Sequence, residues 1–188
     1  MKYLCPVLLL CFVGGIITVN IIDKEFLGGF GIFNTYFIEE FEYTDVRKDE
    51  LFFFIFKERI SILLWLLLFL ITGWGCVAGG VFLAWQSYAA GFLMTAAVSS
   101  YGIKGILLIC TAVFPHYLVY IPLYISYFYI SSFVKKRIKE RTGQSLGNAK
   151  EWVIFSTICL LFVCVFVTGI FLESYTNPYL LKKTLKIF

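Results

Sequence analysis

Charge is the scarcest property of this chain. Only 15% of its 188 residues are Asp, Glu, Lys or Arg, against about 25% in a soluble domain, while 60% are hydrophobic. A soluble fold of this length could not hide that much apolar surface in one core, so lipid is the solvent expected to accept it. Histidine occurs once, at His116, and no HExxH motif is present. A lone histidine does not make a zinc site, and an acid or base role needs an orienting group. The long apolar runs contain no Asp or Glu, which removes Ser/His/Asp chemistry and disfavours a proton or ion relay inside them. The six cysteines (Cys5, Cys11, Cys76, Cys110, Cys159, Cys164) include no CxxC pair. They read as small apolar packing residues rather than as disulfides or metal ligands. The chain is therefore expected not to be an enzyme, with no catalytic residue, metal or cofactor.

Long uncharged stretches are abundant. They run from Tyr3 to Ile22, Ile60 to Ile103, Gly105 to Val134 and Trp152 to Leu172. A helix crosses the hydrocarbon core with about 20 such residues, and the 44 residues from Ile60 to Ile103 suffice for two crossings. The expectation is an all-α, polytopic membrane protein forming a single integral membrane domain. About five transmembrane helices are expected near 4–22, 60–81, 85–101, 106–131 and 152–172. A β-barrel is excluded because Leu63–Leu70 is apolar on every side, whereas barrel strands alternate. The first span has no small-x-small cleavage site and reads as an uncleaved anchor.

Two polar segments punctuate these spans. Residues 23–59 carry nine acidic and five basic residues. Within them Phe30, Phe33, Phe37 and Phe41 recur at helical spacing, and a second stretch from Val46 to Arg59 mixes apolar residues with charge. Both patterns predict an amphipathic or interfacial helical segment. Residues 135–150 carry six lysines and arginines, which predicts a cytoplasmic loop and places segment 23–59 outside. Lys182, Lys183 and Lys186 in the tail argue for the opposite side. The net charge of +4 follows from these membrane margins, so anionic lipid is the nearest partner and nucleic acid is not expected.

Candidate interaction residues lie on the small-residue stripes and the fourth span. Gly75 and Gly79 form a GxxxG, and Gly91, Thr95 and Ser99 follow at intervals of four. Such stripes let helices approach closely, either within the protein or toward a partner. Lys104 sits between Gly102 and Gly105 as an interfacial anchor. Pro115 and Pro122, seven residues apart on one face, free backbone carbonyls that need new partners. Tyr117, Tyr120, Tyr124, Tyr127 and Ser131 make a hydroxyl-bearing stripe beside His116, which is expected to be a hydrogen-bonded structural residue. Glu173 to Pro178 reads as a stop for the last helix.

Several of these motifs occur together in a familiar order. Trp85–Phe92, Tyr101-Gly102-Ile103-Lys104-Gly105, Phe114-Pro115-His116 and Tyr120-Ile121-Pro122 resemble the stage II sporulation protein M family. So do the aromatic lead-in Leu51–Phe56 and the tail Asn177-Pro178-Tyr179-Leu180. The likeness spans residues 51–180. The chain departs from the family pattern at Gln86-Ser87, where Lys-Gly is usual, and at Glu58-Arg59, where Asn is common. The resemblance implies a five-helix, non-enzymatic protein of the cell membrane, concentrated at the sporulation septum. There it would recruit stage II sporulation proteins D and P, which cut septal peptidoglycan during engulfment of the forespore. The rival reading from the residues is a small transporter or permease subunit lined by the tyrosine-striped fourth span. The absence of membrane carboxylates and of paired broken helices counts against it.

Overall fold

Continuous apolar runs become helices because only a helix satisfies its own backbone groups where water is missing. The computed structural model describes residues 4–22, 47–140 and 149–185. Among them are six α-helices and no strand: α1 (Leu4–Ile21), α2 (Lys48–Ile71), α3 (Gly75–Tyr101), α4 (Ile103–Glu140), α5 (Ala149–Phe171) and α6 (Asn177–Leu185). A π-helical turn over Leu172–Thr176 joins the last two. Four stretches are long and apolar enough to cross a membrane: Leu4–Ile21, Gly75–Tyr101, Ile103–Lys136 and Ser156–Leu185. The protein is thus an all-α membrane protein. The phenylalanine-rich stretch at 30–41, the centre of the basic loop at 141–148 and Lys186 lie outside the described residues.

Two boundaries differ from those expected. The break between the second and third spans falls at Thr72-Gly73-Trp74, not at residues 82–84, and α3 runs unbroken from Gly75 to Tyr101. Gly73 adopts φ +77°, a left-handed conformation that glycine reaches without strain, while Phe82-Leu83-Ala84 offers nothing to stop a helix. As a result α2 keeps only Ile60–Ile71 as an uncharged run, about 18 Å of helix against the roughly 30 Å of a hydrocarbon core. Lys57, Glu58 and Arg59 interrupt it near its middle, so the expected span at 60–81 does not exist as one helix. The second difference concerns Pro178, which does not end the last helix. It occupies the second position of α6, in a first turn where no N–H donor is needed. The π turn ahead of it carries the helix through.

The sequence offers no linker, yet the described residues gather into two compact units. In the first, α1 packs on the 80–101 part of α3. A Cβ added at Gly15 would strike the Tyr88 carbonyl and lie 2.7 Å from the Phe92 nitrogen, and one at Gly91 would strike the Phe12 carbonyl. The two backbones therefore touch. Ser87 Oγ donates to the Leu8 carbonyl at 2.8 Å and Tyr88 Oη to Thr18 Oγ1 at 3.1 Å. Val19, Ala96 and Ala97 are buried at this contact. Gly102, at φ +61°, turns the chain into α4, and Gly105 lies against the Ala97 carbonyl. The Tyr-Gly-x-Lys-Gly motif is thus a tight helical corner. Asn177 Nδ2 donates at 2.6 Å to the carbonyl of Ala112, in the turn that Pro115 interrupts.

The second unit comprises 49–79 and 116–174. Gly79 of α3 lies under Tyr127 and Phe128 of α4, and Gly75 under Ser131. Tyr127 Oη donates to the Leu66 carbonyl at 2.9 Å, fixing α4 to α2. Helix α4 shows the polarity expected in lipid. His116, Tyr120, Tyr124, Tyr127 and Ser131 are buried, while Phe114, Leu118, Ile121, Ile125 and Phe133 face outward.

These close approaches set a measurable contrast. Gly91→Ala is expected to destabilise the protein by about 1–3 kcal/mol, because the new methyl overlaps backbone rather than a movable side chain. Gly80→Ala, with nothing within 4 Å of the added atom, is expected to be neutral or mildly stabilising. Thermal unfolding of both variants in the same detergent checks this.

Candidate functional site

Ionisable groups beside lipid are costly and are retained where they are used. Two of them meet in the second unit. Arg59 stands near the middle of α2, directly before Ile60, and Glu173 stands in the π turn, directly after Leu172. The guanidinium grips the carboxylate with two parallel hydrogen bonds, Nε to Oε2 at 3.0 Å and Nη2 to Oε1 at 2.5 Å. This fork-on-fork geometry suits arginine and is not available to lysine. The side chains keep 21% and 15% of their exposure, so the pair is largely but not wholly removed from its surroundings.

Tyr120 of α4 completes the arrangement from below. Its hydroxyl donates to Glu173 Oε2 at 3.2 Å, and its ring lies 5.5 Å from the Arg59 guanidinium carbon. One tyrosine therefore gives the carboxylate a third donor and the cation an aromatic face, a contact contributing about 0.5–2 kcal/mol as it is desolvated. The ring reaches this position because Gly169 leaves room. A Cβ there would come within 2.5 Å of Tyr120 Cε1. Phe166 packs on the same ring at 5.6 Å between centroids. His116, buried one turn earlier, meets Tyr120 and Tyr117 edge-on at 5.7 and 5.0 Å. Phe52 of α2 packs edge-on against Phe171 at 6.4 Å, just before the π turn.

The π turn explains how Glu173 arrives. The turn is one residue wider than an α turn, and Ser174 Oγ donates back to the Ile170 carbonyl at 2.9 Å within it. Such single-turn π segments are found mostly where a helix must re-aim a side chain. Arginine, carboxylate, phenol and imidazole thus come from two helices and one irregular turn.

Chemically the arrangement is closed. Glu173 accepts from Arg59 and Tyr120 together, so its oxygens are engaged rather than aimed at a substrate. Among the described residues, no three His, Cys, Asp or Glu side chains gather closely enough to hold a metal ion. The site can fix helix positions strongly, and it resembles a clasp more than a reaction centre.

The residues singled out in the sequence fall in different places. Tyr120 is at the centre of the clasp and His116 beside it. Gly75 and Gly79 lie on the Tyr127 side of α4, and Gly91 lies against α1 in the first unit. The three glycines are thus covered from within the chain, while Ser99 at the end of the second stripe is exposed. Pro115 is half-buried, Pro122 is exposed on the outer side of α4, and Lys104 is exposed at the α3–α4 corner. The Arg59–Glu173 pair was not anticipated, since Glu173 read as a helix stop. Its signal was present: opposite charges abut the first residue of one apolar run and the last residue of another. Comparison with protein-family models, curated proteins and solved structures finds no match for this chain.

Breaking one half of the clasp leaves the other charge unpaired. Glu173→Gln is expected to destabilise the protein by about 1–3 kcal/mol, less than a fully buried pair because both side chains remain partly exposed. The apolar double variant Arg59→Met with Glu173→Leu is expected to recover most of that loss. Parallel unfolding curves of the three proteins in detergent measure the difference; equal loss in single and double variants would refute the clasp.

Proposed function

We propose that this protein is a non-enzymatic membrane scaffold that holds peptidoglycan-cutting partners at the sporulation septum during forespore engulfment. The observation that carries the scaffold reading is the interior of the second unit. Arg59, Glu173 and Tyr120 are paired with one another, and the tyrosine face of α4 is filled by Phe162, Phe166 and Gly169. Such an interior favours a rigid framework over a solute path or a catalytic pocket. The biological assignment rests on the ordered motif resemblance to the stage II sporulation protein M family, from Leu51 to Leu180. In this reading α2 supplies a fifth membrane-associated helix beside the four long apolar ones, with its charged centre at the membrane surface. Stage II sporulation proteins D and P are the partners.

Partner contact belongs to segment 23–46 rather than to the glycine stripes. Gly75, Gly79 and Gly91 are already covered from within, whereas the acidic and aromatic segment leads directly into the clasp through α2. Crosslinking and affinity capture from sporulating cells should recover proteins D and P with the full chain. Deleting residues 25–45 should reduce that recovery at least ten-fold while leaving membrane insertion intact. Undiminished recovery by the deletion protein would refute the contact assignment, and failure of the full chain to recover either protein would refute the scaffold reading.

A further inference from the structure

Helix α2 is too short for an ordinary bilayer, and it cannot slide to compensate. Tyr127 Oη holds the Leu66 carbonyl and the clasp holds Arg59, so α2 is fixed to its neighbours at two levels. Its uncharged run from Ile60 to Ile71 measures about 18 Å. The same interval on α4 has a matching length. Tyr120 meets the clasp, and Ser131 lies against Gly75 at the α2–α3 corner. That stretch of helix is about 17 Å long, or about 22 Å if counted on to Val134. Lys135 and Lys136 follow, and both are exposed.

Charge limits the thickness at the other end. Lys57 and Glu58 are exposed on the turn that carries Arg59, so they point away from the protein at the level of the clasp. A bilayer of ordinary thickness would have to take up both charges, which costs more than deforming it by a few ångströms. Lysine can reach outward along its stem, but the shorter side chain of Glu58 cannot. Aromatic residues mark the same limits. Phe53 and Phe54 keep 69% and 65% of their exposure among the exposed Asp49, Glu50 and Lys57, and rings set among charges suit the head-group layer. Trp74, 65% exposed at the corner, marks the opposite margin. Tilting cannot restore the match. The uncharged run of α4 from Gly105 to Val134 is about 45 Å long and fits a core of about 30 Å only when tilted. Any tilt of α4 shortens the projection of α2 with it.

We propose that the second unit thins the bilayer along α2 to about 18–22 Å of hydrocarbon, so that its lipid partner there is an annulus of short-chain phospholipid. The effect is one-sided, because α5 presents an uncharged run from Trp152 to Leu172, about 31 Å long. Lipid is selected beside α2 by chain length rather than by head group. This property is independent of partner recruitment and of the sporulation reading.

The test reconstitutes the full chain in fluid phosphatidylcholine vesicles that mix 14- and 22-carbon monounsaturated chains. One of the two lipids is brominated at its double bonds, and quenching of Trp65 fluorescence reads which lipid lies beside α2. Trp65 is 60% exposed and falls two turns from Glu58 on the same face; a Trp65→Phe protein supplies the background. The wild type should favour the 14-carbon lipid by about three-fold or more. Replacing Lys57 and Glu58 together by Leu should bring the two lipids to within about 1.5-fold, with Glu58→Leu alone falling between. Exchanging the charges, Lys57→Glu with Glu58→Lys, should leave the wild-type preference intact. Equal association of the two lipids with the wild type would overturn the proposal, as would a preference that survives the double Leu substitution. A wild type indifferent to chain length, forming a dimer that the double Leu substitution dissolves, would assign the charged turn to a second copy instead.

Discussion

Lipid cannot lend a hydrogen bond, and most of what this molecule does with its polar residues follows from that constraint. Water would let a stray hydroxyl or guanidinium face outward at little cost. Hydrocarbon forces each one to find a partner inside the protein. Ser87 and Thr18 tie α1 and α3 together through backbone and side-chain oxygens. Tyr127 returns its proton to the Leu66 carbonyl. Arg59, Glu173 and Tyr120 neutralise one another in a single knot. The interior mixes leucine and phenylalanine with the phenols of α4 and the imidazole of His116, while the outer surface is almost wholly apolar.

Much of this was legible in the sequence because the helical period governs it. The stripe Tyr120, Tyr124, Tyr127, Ser131 is one buried face, as its spacing implies. The Gly102 corner is a turn because a positive φ suits glycine. The placement of the break near 72–74 was harder to read. Length alone divides a 44-residue apolar run at its middle, whereas the chain divides at Gly73, where the local backbone allows it. Pro178 misled for a related reason: proline forbids a helix interior but is welcome in a first turn, and only the π turn before it makes that position a first turn.

The clasp was illegible for a different cause. Arg59 and Glu173 are 114 residues apart, and no periodicity joins them. What the sequence does show is that each charge borders an apolar run, and antiparallel runs bring such borders together. Gly169 is similarly silent until Tyr120 is seen against it. Glycine within a helix reads as a cost in local propensity, while here it is the space that an aromatic ring requires.

The π turn also has a bearing on how this chain can change over time. A wide turn differs from an ordinary one by a single inserted residue, so it can be gained or lost in one genetic step without breaking the surrounding helix. Loss ahead of residue 173 would rotate the carboxylate by about 100°, swinging it away from its arginine. Any descendant that trims this segment must therefore give up the clasp or restore the spacing earlier in the same helix.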